Sequence, residues 1–130
     1  MNTEIFKAKY TYDFEQDVVN IEAVREYEHA CTVDLTFGIF LDFDKDYLPA
    51  DVEIITASEV IGVEKESLIS PEVKVSISVG DIIEAEITLK FEDKNKTLKL
   101  KALNEGFPSS KSSLYVMLKI ILFYSNHHVN

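Results

Sequence analysis

The chain has 130 residues, 46% of them apolar and 28% charged, with a formal net charge of −10. That balance fits one folded domain or two very small modules and excludes a natively disordered chain. No apolar run is long enough to span a bilayer, and a surface this acidic repels phosphate backbones, which excludes direct nucleic-acid binding by its acidic part.

The acidity is confined to one half. Residues 1–60 carry 14 acidic side chains against 4 basic ones, whereas residues 61–130 carry 9 of each. The matching partners are a basic protein or a divalent cation; the alternative is that the charge serves solubility alone. The N-terminus, MNTEIFKAKY, has no apolar leader run. The single cysteine, Cys31, excludes an internal disulfide and points to a reducing, cytoplasmic setting.

Along the chain, a period of two dominates. Phe6, Ala8, Tyr10 and Tyr12 share one parity and form the first strand. A polar turn, Asp13 to Asp17, leads to a short strand through Val19, Ile21 and Ala23. From Val33 to Phe43 every odd position is apolar, which predicts one half-buried strand; Leu48 to Ile54 predicts its partner. Ala57 to Leu68 is predicted helical, with Ser58 as its cap and Pro71 beyond its end. Val73–Val79, Ile83–Phe91 and Leu98–Ala102 alternate in compatible registers and predict an antiparallel meander. In the tail, Ser110 to Ser125, residues Leu114, Met117, Leu118, Ile121 and Leu122 recur at helical spacing and the other faces are apolar too. That predicts a helix, either packed on the protein's own sheet or serving as a dimerisation or partner-docking element.

The stretch DFDKDYLPADVE, Asp42 to Glu53, has the acidic skeleton of a calcium loop. Two features oppose that reading. Its sixth position, where the chain must turn sharply, is Tyr47 rather than glycine, and its flanks alternate like strands instead of helices. Pairing Phe43 with Leu48 across a four-residue loop sets Leu41 opposite Ala50, Ile39 opposite Val52 and Phe37 opposite Ile54. Glu53 then lies about 13 Å from Asp42, too far to share an ion. A hairpin is therefore expected. Asp42, Asp44 and Asp46 at its tip remain the candidate metal ligands, for a loosely held calcium or magnesium ion, or else form only a solvated turn.

No catalytic residue is nominated. His29 and Cys31 are two apart, but Glu26, Glu28 and Asp34 surround them and disfavour a thiolate, so a structural pair is expected. His127 and His128 fall in the last four residues. There is no glycine-rich phosphate loop, no paired-cysteine zinc motif and no tryptophan for base stacking. Of the aromatics, Phe40 is expected on the polar face as a contact residue.

Tyr12-Asp13, Asp17, Ile21, the run Ile39-Phe40-Leu41-Asp42-Phe43-Asp44, Val52-Glu53-Ile54 and Ala57-Ser58 occur in an order and spacing that resemble the small prokaryotic domains of unknown function catalogued as DUF 2283. The resemblance covers residues 10–60. Tyr47 stands where that family has a turn glycine, and Asp51 where it has another. The resemblance implies a small β-rich domain without an assigned catalytic residue. Some members are encoded beside small basic ribonuclease-like toxins, which implies an antitoxin role. The expectation is thus a β-rich α+β protein of antiparallel hairpins and a meander, with a C-terminal apolar helix. An acidic β module, 1–68, would precede a second module, 69–130, the two either sharing one core or not. The expected function is non-enzymatic binding of a basic protein by a homo-oligomer.

Overall fold

The computed structural model describes residues 2–104 and 116–122, with side chains for residues 7–104. Strands β1 (Asn2–Asp13), β2 (Val18–Ala23), β3 (His29–Asp34), β4 (Ile39–Asp44) and β5 (Pro49–Ile54) precede one short helix, α1 (Ala57–Ile61), and a 3-10 turn at Lys65–Leu68. Strands β6 (Glu72–Val79), β7 (Ile82–Lys90), β8 (Asn95–Leu103) and β9 (Val116–Leu122) follow. They join in one nine-stranded sheet of order β3-β4-β5-β2-β1-β9-β6-β7-β8.

The period of two explains why one face of this sheet is dry. Ala8, Tyr10, Ile21, Leu41, Val52 and Ile54 from the first wing are buried, as are Val75, Ile77, Ile87 and Leu89 from the second. All belong to one hydrophobic cluster. Five helical residues cannot cover nine strands, so the apolar residues of both wings are buried largely among themselves, in that one cluster. Tyr10 ties β1 to the 3-10 turn: its hydroxyl donates to the carbonyl of Leu68, fifty-eight residues away, inside the core.

The expected α+β class with a C-terminal apolar helix is overturned. The protein is mostly β, and Val116–Leu122 is a strand, parallel to β1 and antiparallel to β6. A run that is apolar at nearly every position satisfies a helix and a buried strand equally, and periodicity alone does not separate them. Residues 110–115 and 123–125, the ends of that expected helix, lie outside the described residues.

Three smaller corrections concern the first wing. The single strand expected over Val33–Phe43 is two strands, β3 and β4, joined by a tight loop in which Thr36, Phe37 and Gly38 all have positive φ. The β4–β5 hairpin exists but runs two residues out of the expected register: Leu41 pairs with Val52 and Ile39 with Ile54, one residue of the offset coming from the turn, where Asp44 faces Leu48, and one from the ladder shift between Asp42 and Phe43. The helix of Ala57–Leu68 is only α1 plus the 3-10 turn, and Ser58 is not its cap. Instead Asp17, from the β1–β2 turn, accepts the Ser58 amide at 3.0 Å and the Ser58 hydroxyl at 2.6 Å.

Candidate functional site

The polar face of the first wing carries the acidity. Cross-strand pairing sets Glu22 opposite Asp51, Asp51 opposite Asp42 and Asp42 opposite Thr32. These make one row across β2, β5, β4 and β3, with Lys9 of β1 beyond Glu22. The next row along the strands runs Asn20, Glu53, Phe40 and Asp34. Phe40 is thus on the polar face, half-buried among carboxylates. Like charges directly opposite each other in an antiparallel pair are destabilising. Asp51 has one on each side.

Asp51 is the centre of the row. Its Oδ2 accepts a long hydrogen bond from the Asn20 amide, 3.4 Å. Its Oδ1 is buried and has no hydrogen-bond partner among the described residues. Burial, and then the charge of Asp42, push its carboxyl up to about 6. Asn20 opposes the shift, while Glu22 and Glu53 add to it. An ionised Asp51 is therefore short of positive charge.

Around the row, neutral donors hold the neighbouring carboxylates. Tyr27 donates to Glu22 Oε2 at 2.7 Å, and burial together with that bond raises its phenol above the usual range. Thr32 donates to Asp42 Oδ1 at 2.5 Å, and His29 Nε2 lies 2.9 Å from the Thr32 hydroxyl. A hydroxyl has one proton to give. Thr32 gives it to Asp42, so His29 Nε2 is the donor to Thr32. Glu22, Arg25, Tyr27 and His29 border a shallow, open depression beside the row.

The β4–β5 tip is built differently from the expected loose cation site. The register shift turns Asp44 inward while Asp42 stays on the polar face. Asp44 is 2% exposed. Its Oδ1 accepts the amides of Asp46 (2.8 Å) and Leu48 (3.0 Å), and its Oδ2 takes Arg25 Nη1 at 2.7 Å. Burial works to raise its pKa, but the Leu48 amide, Arg25 and the Asp46 amide outweigh it and hold the carboxyl below the usual carboxylate range. Arg25 also donates to the Pro49 carbonyl and stacks 5.5 Å from the Tyr27 ring centroid. Asp46 is exposed at the turn. Asp42, Asp44 and Asp46 thus point three ways, and among the described residues no group of three or more His, Cys, Asp or Glu is placed to hold a metal ion.

Cys31 is half-buried, and burial followed by the charge of Asp42 raises its thiol. That makes it a poor nucleophile. His127 and His128 lie outside the described residues. Sequence reasoning missed Asp51, Glu22, Arg25 and Tyr27. The signal for the first two was available: both sit at polar-parity positions of their strands, and the correct register places them side by side.

Comparison with protein-family models, curated proteins and solved structures finds no match for this chain.

Proposed function

We propose that the chain is a non-enzymatic interaction module that binds a Lys- or Arg-rich segment of a partner protein across the Glu22–Asp51–Asp42 row. The carrying observation is Asp51: a carboxyl flanked by two others, with a buried oxygen that no donor among the described residues satisfies. A cationic side chain brought there gains a charge-assisted hydrogen bond and relieves the repulsion at once. The half-buried Phe40 and the Tyr27 ring beside the row offer apolar surface to the stem of a long basic side chain. The direction of the His29–Thr32–Asp42 chain speaks for a binding surface: the hydroxyl donates to a carboxylate and is not deprotonated by the imidazole. Together with the DUF 2283 resemblance, the reading extends to an antitoxin-like role against a small basic protein.

The test is calorimetric titration of a Lys/Arg-rich peptide into wild type and into the Asp42→Asn, Asp51→Asn double variant. Tenfold or greater weakening in the variant is expected, with wild-type affinity falling as salt rises above ~0.15 M. Affinity should also fall as pH drops through 6, because protonated Asp51 offers no charge. Equal affinity for both proteins would remove the proposal.

A further inference from the structure

The two edges of the sheet, β3 and β8, are complementary to each other. Among the described residues each pairs on one side only, β3 with β4 and β8 with β7. An open edge presents a row of backbone donors and acceptors that can template another strand. On the polar face, β3 brings Asp34, opposite Phe40 of β4, whereas β8 brings Lys99 and Lys101, whose neighbours within the chain are Glu86 and Glu84 of β7. On the core face both edges are incompletely covered: Cys31 and Val33 on one, Leu98 and Ala102 on the other, are only partly buried. Leu103, at the end of β8, is 70% exposed.

Strand direction makes the two edges compatible. Between β3 and β8 the sheet has seven antiparallel pairings and one parallel pairing, β1 with β9. An odd number of reversals leaves β8 antiparallel to β3. A second copy placed beyond β8 in the same orientation therefore presents its β3 antiparallel, with its apolar face on the same side.

We infer that the chain self-associates head to tail, with β8 of one copy pairing antiparallel with β3 of the next. Setting Asp34 opposite Lys99 fixes the register. Thr32 then lies opposite Lys101; on the core face Val33 meets Leu100 and Cys31 meets Ala102, and the regular pairing ends at the β3 bulge between His29 and Cys31. Every apolar position meets an apolar one, and each lysine meets an acidic or polar residue. The isologous alternatives do not share this. Pairing β3 with β3 offers Asp34 no Lys or Arg, and pairing β8 with β8 offers Lys99 and Lys101 no carboxylate from the partner strand. A head-to-tail contact grows into a ring or a filament instead of stopping at a two-fold dimer.

The experiment is light scattering of three purified proteins. The wild type is expected to exceed monomer mass, with the excess lost as salt rises above ~0.15 M. The Lys99→Glu, Lys101→Glu variant and the Thr32→Lys, Asp34→Lys variant are each expected to be monomeric. Mixed, they should associate again beyond monomer mass, because each retains one intact edge and the two substituted edges carry opposite charge at the facing positions. A monomeric wild type, a variant that still dimerises alone, or a mixture that stays monomeric overturns the inference. Should either variant fail to fold by circular dichroism, hydrogen exchange on the wild type decides. Amides of both β3 and β8 must gain protection as protein concentration rises, and protection confined to one edge overturns the pairing.

Discussion

At the scale of single residues, the fold keeps two costs on the first wing. Asp51 is the electrostatic one. Its pKa is about 6 when folded against about 4 unfolded, so the native state binds the extra proton between those values. The stability this contributes is present below pH 4 and is lost as pH rises through 6. Asp51→Asn removes that loss. With solvent reaching part of the carboxyl, the variant should be more stable than wild type by about 1–2 kcal/mol at pH 7.5, and the two should converge near pH 4. Urea titrations at both pH values check this; parallel behaviour of the two proteins would show that Asp51 is not perturbed. The second cost is conformational. Thr36 is β-branched, exposed and at φ 78, a region that suits glycine. Only its backbone is engaged, by Asp34 Oδ1 at 2.8 Å and by the Ile39 amide. Thr36→Gly should therefore raise stability by about 1 kcal/mol, measured by thermal unfolding. Gly38, two residues on, has no such latitude, because a Cβ there would meet the Ile55 carbonyl at 3.2 Å. The strained loop holds Phe37 79% exposed, and no parity rule places an aromatic there.

Strands and turns were legible wherever a local rule decided them. The alternation of Val73–Val79 with Ile83–Phe91 already fixes Val79 opposite Ile83, and the ladder shows that pairing. The β4–β5 register was not legible, because it depends on a turn in which Asp44 faces Leu48 and on an irregular step between Asp42 and Phe43, neither of which the residues announce. The carboxylate row depends on both: with the register two residues off, Asp51 does not face Asp42 and the site cannot be seen. Long-range capping was equally hidden. Asp17 accepts Tyr12 Oη at 2.6 Å as well as both groups of Ser58, locking the β1–β2 turn to the start of α1. Burial works to raise its pKa, but the hydrogen bonds from Ser58 and Tyr12 outweigh this and lower it. The stability Asp17 contributes is thus present above its unfolded value near 4 and is lost as pH falls below it. Asp17→Asn keeps a residue that tolerates φ 58 but weakens three charge-assisted bonds, so it should cost about 1–2 kcal/mol at pH 7. The cost should shrink toward pH 3, and chemical denaturation at the two pH values measures it. A cost that is flat with pH would mean that the carboxylate charge is not what secures the turn.

Across the whole molecule, β9 decides whether there is one folding unit or two. Residues 2–54 supply β3-β4-β5-β2-β1 and residues 72–103 supply β6-β7-β8, yet β1 and β6 do not pair with each other. Seven residues of β9 join them, matched to Asn2–Ala8 on one side and Lys74–Val79 on the other. A connection so distant in sequence has no local signature, which is why chain order alone suggests two modules, 1–68 and 69–130. The shared core adds the reason for cooperativity: Leu41 and Val52 of one wing and Ile87 and Leu89 of the other belong to the same cluster. Ending the chain after Asn104 removes β9 and uncovers two long inner edges while leaving each wing its own hairpins. We expect the truncated protein to unfold at lower urea than the full chain and in two steps, with tryptophan reporters placed singly in each wing separating the transitions. Uncovered inner edges should also make it aggregate more readily. A single transition at the wild-type midpoint would instead mean that the wings cohere through the core face alone, so that the ladder of β9 adds no stability of its own.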